Sequence, residues 1–273
     1  MVEVLRDISR PALVRAVEAN LTAFHVALGE WPEISVHRDD DRVWTASRRR
    51  FSLCNVLLEA HFEPAEAAAR IERALQPYAT SKVNVMWKLG PSTRPAELGD
   101  RLVEHGFVIR PTLAGMALDL AALNPPAFPA PDVEIREVKD GPTLQLWREA
   151  LGRGFGWPDY GSQDVADNLA YFFGARLQRS FAAYVGIARG APVASSLVFF
   201  GAGVAGLYHV STHPDHRGRG LGSTITRAPL VEAQRRGYRI AVLHATEMGH
   251  PVYRRLGFEE VCPIGLRLRL HTT

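Results

Sequence analysis

The spacing of hydrophobic residues in the second half of the chain predicts a mixed α/β protein. Leu144, Trp147 and Leu151 recur at helical spacing, whereas apolar and β-branched runs bounded by turn residues predict strands. A turn at Arg189-Gly190 separates two such runs, which indicates a β-hairpin. The predicted strands are 133–138, 182–188, 192–200, 205–212, 240–245 and 266–270, and the predicted helices are 141–153, 162–173, 221–237 and a short one from residue 251.

A proline-rich segment divides the chain into two predicted domains. Residues 123–131 contain four prolines, and proline is disfavoured inside helices and central strands because it lacks a backbone N–H and fixes φ. We therefore interpret this segment as a linker. It joins a domain at 1–122 to a domain at 132–273, and each has an ordinary domain size.

The two predicted domains end with the same order of elements. Each has a strand, a short helix, a Gly-Phe pair and a final strand, with the pair at Gly106-Phe107 in one half and Gly257-Phe258 in the other. A glycine after a helix is common by itself, because glycine adopts the left-handed conformation easily. The match of all four elements in order indicates an internal duplication.

A loop of glycines and arginines stands between a predicted strand and the helix that follows it. Helix N-termini present backbone N–H groups that lack intrahelical partners, together with the positive end of the helix dipole. Gly218, Gly220 and Gly222 allow the backbone to approach a phosphate closely. Arg217 and Arg219 can donate charge-assisted hydrogen bonds. The loop is therefore predicted to bind an anion.

The spacing within this loop excludes one common nucleotide-binding motif and disfavours another. No Gly-Lys-Ser/Thr follows it, as a P-loop requires. Its glycines are spaced Gly-x-Gly-x-Gly, whereas a Rossmann fingerprint needs Gly-x-Gly-x-x-Gly. The next acidic residue, Glu232, lies within the predicted helix, so a dinucleotide site is a poor interpretation.

Two motifs in the second half resemble those of the GNAT superfamily of N-acetyltransferases. Arg217-Gly218-Arg219-Gly220-Leu221-Gly222 resembles its Arg/Gln-x-x-Gly-x-Gly/Ala signature, and Tyr253-Arg254-Arg255-Leu256-Gly257-Phe258 resembles its Tyr-x-x-x-Gly-Phe segment. The resemblance covers residues 133–270 well, and the first half only in its last part. It implies an α/β (α+β) protein of two GNAT-like domains, each a mixed, mostly antiparallel sheet flanked by helices.

The resemblance also implies acetyl-CoA as acyl donor, no metal, and a role for each matching position. The loop would hold the pyrophosphate through its amides, and the preceding strand would separate from strand 240–245 and pair with the pantetheine arm. Tyr253 would donate a proton to the departing thiolate, since a phenol with a pKa of about 10 stays protonated at neutral pH. The implied donor-binding residues are Val210, Ser211, Thr212, Arg217, Gly218, Arg219, Gly220, Leu221, Gly222, Ser223 and Thr224.

Three parts of the site stay open at this point. The general base is one of Tyr208, His209, Glu247, His250 or a water molecule. The CoA 3′-phosphate could meet Arg254, Arg235 or Arg236. The aromatic residues of a glycine-rich loop are candidates for the acceptor pocket, although packing against the core explains them equally well; they are Phe155, Trp157 and Tyr160.

The first half lacks the residues that carry the resemblance. Its helix at 64–77 contains no glycine, and Leu102 stands where Tyr253 stands in the second half. Leucine cannot donate a proton. We therefore interpret the first half as a degenerate copy that completes the sheet or forms a wall of the acceptor cleft, so that each chain has one active site.

Composition adds limits to this interpretation. The chain of 273 residues has a formal net charge of +3 and two cysteines, Cys54 and Cys262. The charge is too small to indicate nucleic acid, and the cysteines indicate neither a metal site nor a disulfide framework. Without a signal pattern or a long apolar run, we expect a cytoplasmic protein without membrane partners, either a monomer or a homodimer.

The sequence thus favours an acetyl-CoA-dependent N-acetyltransferase that transfers an acetyl group to a primary amine of a small molecule by direct attack on the thioester. Two alternatives stay open. One is a regulatory module that binds acyl-CoA without turnover, and the other is an N-acetyltransferase that acts on proteins.

Overall fold

The computed structural model of the protein describes residues 3–123, 132–174 and 180–271. Its helices are α1 (Arg10–Leu28), α2 (Ala67–Leu75), α3 (Leu98–Glu104), α4 (Gly141–Phe155), α5 (Asp159–Gly174), α6 (Leu221–Arg235) and α7 (His250–Leu256). Its strands are β1 (Ile34–Arg38), β2 (Val43–Ser47), β3 (Val56–Leu58), β4 (Val85–Leu89), β5 (Val108–Asp119), β6 (Val133–Glu137), β7 (Phe181–Ala188), β8 (Ala191–Gly201), β9 (Val204–Thr212), β10 (Ile240–Ala245) and β11 (Glu259–Arg269). The predicted α/β class is confirmed.

The chain forms two compact units, and each is built from two separate stretches of sequence. Unit 1 consists of Met1–Leu21 and Gly115–Val261, and unit 2 consists of Thr22–Ala114 and Cys262–Thr273. The bounds of these units differ from those of the predicted domains at 1–122 and 132–273. That each predicted domain folds alone stays a prediction. Apart from its first residue, the predicted linker at 123–131 lies outside the described residues.

Unit 1 holds a mixed sheet in the order β5-β10-β9-β8-β7-β6. The strands β6 to β9 pair antiparallel with their neighbours, whereas β9 and β10 pair parallel. The predicted hairpin turn is present, with Arg189 and Gly190 both at positive φ (50° and 81°), as a turn between twisted strands favours.

Local sequence explains where the main helices of unit 1 begin and end. Asp140 and Thr143 form a reciprocal capping box at the start of α4. The indole of Trp147, which is fully buried, donates a 3.0 Å hydrogen bond to the carbonyl of Ser196 and so anchors α4 on β8. The helix α6 ends as predicted beside Gly237, whose φ of 81° suits glycine.

Unit 2 holds a sheet in the order β1-β2-β3-β4-β11. As in unit 1, one parallel pair, β3 with β4, stands among antiparallel pairs. An aromatic and aliphatic core lies under α2 and α3, with Trp87 and Leu102 fully buried within it.

The ends of α3 and α7 have the same geometry, which supports the predicted duplication. Phe107 N–H donates to the carbonyl of Leu102 and Phe258 N–H donates to the carbonyl of Tyr253, both at 3.0 Å. The glycine between helix and phenylalanine has φ of 83° in one copy and 101° in the other. Both helices therefore end in the same Schellman-type cap.

The final strands of the two halves are exchanged between the units. Residues 262–269 of β11 belong to unit 2, where β11 pairs antiparallel with β4. Residues 115–119 of β5 belong to unit 1, where β5 neighbours β10. Each sheet is therefore completed by the last strand of the other half of the sequence.

Candidate active site

The strand β9 contains a bulge that interrupts its pairing with β8. Ser195 pairs with Ser211 and Leu197 with Tyr208, so β9 contains one more residue than β8 across this step. His209 lies in the extra stretch at a φ of 52°. A positive φ is uncommon for a residue other than glycine and is maintained only where the surrounding structure fixes it.

Buried serines fix the bulge. The hydroxyl of Ser195 donates to the carbonyl of His209 at 2.8 Å and lies 2.8 Å from the hydroxyl of Ser211. Ser211 in turn donates to the carbonyl of Ala150 at 3.1 Å, which ties β9 to α4. Because these groups are buried and hydrogen-bonded, the bulge is a rigid feature of unit 1.

The strands β9 and β10 separate beyond the bulge. Their parallel pairing runs from Ala205 with Ala241 to Leu207 with Leu243 and goes no further. Residues 210–212 of β9 therefore face an opening on the β10 side. The pairing thus ends before Val210, Ser211 and Thr212, where the resemblance implied a separation, and the role of these residues in donor binding stays a prediction.

The glycine–arginine loop follows β9 and ends at the first turn of α6. Gly218 and Gly220 have φ of 76° and 80°, so both positions favour glycine. Among the described residues, the backbone N–H groups of residues 218–223 have no hydrogen-bond acceptor. Together with the N-terminus of α6, these amides have the arrangement that binding of an anion requires, and the donor-binding role of the loop stays a prediction.

The side chains of this segment contribute in different ways. Leu221 and Ser223 are buried, so the backbone of Leu221 is the part available at the loop. The hydroxyl of Thr224 donates to the carbonyl of Gly220 at 3.2 Å, so its hydrogen is used within the helix. Arg219 is exposed.

Arg217 has a role that the sequence did not reveal. Its guanidinium donates to the carbonyl of Thr212 at 3.2 Å and to the carbonyl of Gly154 at 2.9 Å. The side chain thus joins the end of β9 to the last turn of α4. It holds the loop in place, whereas the sequence suggested direct contact with a phosphate.

Tyr253 lies in α7, is 8% exposed and packs edge-on against Phe258. Burial raises the pKa of its phenol above the ordinary value. Its hydroxyl has no hydrogen-bond partner among the described residues. A phenol that stays protonated, and whose hydroxyl donates no other hydrogen bond, meets the requirement for a proton donor.

The structure narrows the choice of general base. Tyr208 donates a 2.8 Å hydrogen bond to the side-chain oxygen of Asn20, and burial raises its pKa well above 10.0. A phenol in that state is a poor base. His250 lies 3.1 Å from a carboxylate oxygen of Glu260, and Glu247 is exposed. The remaining candidates are His209, Glu247, His250 and water.

The aromatic loop after α4 lies beside the bulge. Phe155 and Trp157 are stacked with ring centroids 4.6 Å apart, and Trp157 meets His209 edge-on at 6.0 Å. Phe155 is 39% exposed. The side chain of Tyr160, the third candidate, lies outside the described part of the structure. The first two therefore present an accessible aromatic surface next to β9.

Two of the three arginines proposed for the 3′-phosphate are remote from the loop. Arg235 and Arg236 lie at the C-terminal end of α6 and both pair with Glu232, at 2.8 and 2.6 Å. A helix of 15 residues rises about 22 Å, which separates these arginines from the glycines at its start. This corrects the sequence-based suggestion and leaves Arg254, which is exposed.

Asn20, from the N-terminal helix α1, belongs to this region, and no sequence pattern singled it out. It is fully buried, accepts the hydrogen bond from Tyr208 and donates to the carbonyl of Gly201 at 2.8 Å. A Cβ at Gly206 would overlap its side-chain oxygen. The N-terminal 21 residues of the chain therefore help to fix the strand that contains the bulge.

Unit 2 also has a parallel pair of strands whose pairing ends early, followed by a residue of positive φ. At the position of the opening, however, its own backbone forms hydrogen bonds. The parallel pairing of β3 and β4 ends at Leu57 with Trp87, and Glu59, two residues later, has a φ of 48°, as His209 does two residues after Leu207. Arg94 N–H then donates to the carbonyl of Ala60 at 2.8 Å and Phe62 N–H donates to the carbonyl of Arg94 at 3.0 Å. Ala60 and Phe62 correspond in position to Val210 and Thr212.

The described residues include neither a membrane-spanning helix nor a cluster of metal-binding side chains. No helix among them is long and apolar enough to cross a membrane. No group of three or more histidine, cysteine, aspartate or glutamate side chains in that part of the chain could hold a metal ion.

Comparison with known proteins agrees with this geometry. The model of the acetyltransferase (GNAT) domain family matches residues 201–261, the segment that contains β9, the loop, α6, β10 and α7. No curated protein matches the chain in sequence.

Solved structures resemble the chain over nearly its whole length. A GCN5-related N-acetyltransferase from Kribbella flavida has a TM-score of 0.70 at 21% identity, covering 94% of this chain and 95% of that one. One from Sphaerobacter thermophilus has a TM-score of 0.61 at 18% identity, covering 97% and 94%. A tandem GNAT protein from the clavulanic acid biosynthesis pathway has a TM-score of 0.58 at 15% identity, covering 100% and 98%. Residues 201–261 therefore match the acetyltransferase (GNAT) domain family, and the fold of the chain is similar to that of these GNAT proteins.

Proposed function

We propose that the protein is an acetyl-CoA-dependent N-acetyltransferase with one active site, in unit 1, and that its acceptor is a primary amine of a small molecule. The observation that carries this proposal is that three features follow one another along the chain in unit 1. They are the bulge in β9, the opening beside residues 210–212, and the loop whose amides have no acceptor. These features suit a long ligand with a pyrophosphate at one end.

The residues of unit 1 suit binding of this donor. The amides of residues 218–223 and the dipole of α6 would hold the pyrophosphate, with Arg217 keeping the loop against α4. The backbone of Val210, Ser211 and Thr212 would pair with the pantetheine arm as a neighbouring strand does. Bound there, acetyl-CoA supplies an acetyl group activated as a thioester.

The chain itself would assist the transfer at two atoms. An N–H of residues 210–212 would stabilise the negative charge that develops on the carbonyl oxygen when the amine attacks. The hydroxyl of Tyr253 would give its proton to the departing sulfur, and the raised pKa keeps that proton in place at neutral pH. The acceptor amine must be neutral to attack, and His209, Glu247, His250 or water would take its proton.

Release of free thiol from acetyl-CoA, measured across a panel of amines, tests catalysis. We expect turnover with at least one small amine, and a fall of kcat by about tenfold or more in Tyr253→Phe, because general acid catalysis contributes about 100-fold or more. Acetyl-CoA binding by the variant should stay within about twofold of wild type, since the phenol acts on the leaving group.

Two other outcomes would replace the proposal. Tight binding of acetyl-CoA without turnover of any small amine or peptide would favour the regulatory module. Turnover of peptide N-termini but of no small amine would favour an N-acetyltransferase that acts on proteins.

Calorimetric titration with acetyl-CoA tests the donor site separately. Gly222 has an ordinary φ, and an added Cβ would lie 3.5 Å from Val252 and 3.8 Å from Thr212, so Gly222→Leu would obstruct the ligand without straining the backbone. We expect a loss of affinity of about tenfold or more, since each lost hydrogen bond to a charged group costs about 1.5 to 3 kcal/mol. Gly141→Leu, in the first turn of α4 with nothing within 4 Å, is the matched control. Equal affinity in Gly222→Leu and the control would refute the loop assignment.

A further inference from the structure

A basic pocket in unit 2 is not accounted for by acetyl transfer. It has a volume of about 910 Å³ and is lined by Arg48, Arg50, Thr80, Ser81, Lys82, Val83 and His271. The lining contains three residues with a permanent positive charge, one histidine and no acidic residue. All of these residues belong to unit 2.

The side chains of Arg48, Arg49 and Arg50 lie in two different environments. Arg49 forms a bidentate ion pair with Glu33, at 2.6 and 2.9 Å, and its guanidinium lies 5.0 Å from the centre of the Trp31 ring. Arg48 and Arg50 are exposed and line the pocket. Neither forms an ion pair within the described part of the chain. The middle arginine thus stabilises the turn, and its neighbours are available to a ligand.

The opposite side of the pocket adds hydrogen-bond donors. The segment Thr80 to Lys82 connects the 3₁₀ turn Gln76–Tyr78 to β4. The hydroxyls of Thr80 and Ser81 have no hydrogen-bond partner among the described residues. The amide of His271 donates to the side-chain oxygen of Asn84 at 2.9 Å, which fixes residue 271 at the rim of the pocket.

We propose that this pocket binds a small molecule that carries at least two anionic groups, phosphates or carboxylates. Arginines recognise such groups through paired, charge-assisted hydrogen bonds, and hydroxyls complete their coordination. The volume falls within the range of sites for small ligands. A net charge of only +3 does not favour a nucleic acid polymer.

Titration with inorganic pyrophosphate, ATP and citrate tests this proposal. The titrations use the Gly222→Leu protein, so that the loop of unit 1 does not contribute. We expect binding of at least one probe, weakened about tenfold or more in Arg48→Ala/Arg50→Ala because two charged contacts are lost. The matched control is Arg38→Ala/Arg110→Ala, which removes the same charge from exposed positions of unit 2 outside the pocket and should change affinity by about twofold or less.

Hydrogen exchange locates the probe independently of these variants. We expect a bound probe to slow amide exchange in residues 80–83 of the wild-type protein. Pyrophosphate or ATP without citrate would identify a phosphate ligand, and citrate alone would identify a carboxylate ligand. The proposal is overturned if none of the three probes binds, or if both double variants lose affinity equally.

Discussion

Gly154, in the last turn of α4, lies directly against the strand that contains the bulge. A Cβ added to Gly154 would lie 2.5 Å from the Cβ of Ser211, would overlap the Ser211 hydroxyl, and would lie 3.2 Å from the amide nitrogen of Thr212. Ordinary carbon contacts need about 3.5 Å or more. Gly154→Ala therefore requires α4 and β9 to move apart by about 1 Å.

Two opposing effects set the loss of stability in this variant. Overpacking of this size costs about 1 to 3 kcal/mol, whereas the higher helix propensity of alanine returns about 1 kcal/mol. We expect a net loss of about 0 to 2 kcal/mol in the free energy of unfolding, measured with urea. Activity should fall further, by about 10- to 100-fold in kcat/KM, because a 1 Å displacement of binding groups can reduce rates by that amount.

The displaced contacts explain why the fall in activity should exceed the fall in stability. Ser211 holds the bulge through Ser195, and the carbonyl of Gly154 accepts the hydrogen bond from Arg217 that holds the loop. Gly141→Ala, at the start of the same helix in open space, should leave both stability and activity close to wild type. If Gly154→Ala has the acetyl-CoA affinity and kcat/KM of Gly141→Ala, the argument that α4 positions the donor site is wrong.

Three more predictions concern the parts that support unit 1. The side chains of two arginines lower the pKa of Glu232 from 4.5 to about 2; its ionised form therefore stabilises the fold above pH 4.5, and this contribution is lost as the pH falls towards 2. Glu232→Gln should lower the free energy of unfolding by about 2 kcal/mol near neutral pH, and urea unfolding should show a smaller difference at pH 3. Asn20→Ala should cost about 2 to 3 kcal/mol, because the buried hydroxyl of Tyr208 loses its acceptor; an unchanged melting temperature would contradict this. A fragment of residues 132–273 should lack a cooperative unfolding transition by circular dichroism, because it lacks Asn20 and the ion pair of Asp119 with Arg239 at 2.5 Å, and a stable, active fragment would refute that expectation.

The sequence predicted most elements of the second half because their signals are local. The capping residues of α4, the hairpin turn and the glycine after α6 act within a few residues, and these elements lie close to where they were expected. In the first half, the helix α1 and the hairpin of β1 and β2 were missed. The buried positions of α1 recur at helical spacing, but they include the polar residues Asn20 and His25, so the hydrophobic pattern of this segment is weak.

The features of the site that the sequence did not reveal depend on contacts between distant segments. Nothing near Asn20 indicates that it meets Tyr208, 188 positions away in the sequence. The bulge at His209 follows from a register shift against β8, and the hydrogen bond from Arg217 to Gly154 depends on how α4 packs. The exchange of the final strands could not be predicted either. Each half contains a suitable final strand, and its local hydrophobic pattern does not determine which sheet it joins.

The comparison of the two units supports one donor site per chain for a reason that goes beyond missing residues. Unit 2 retains the separated parallel strands and a residue of positive φ at the matching position, Glu59. Its connection between β4 and α3 covers residues 90–97, whereas the matching connection in unit 1 covers only 246–249. The longer connection brings Arg94 into hydrogen bonds with Ala60 and Phe62, and these are the positions that correspond to Val210 and Thr212. A loop of glycines before α2 would therefore not be enough to restore donor binding, because the backbone edge that would receive the pantetheine arm is already paired.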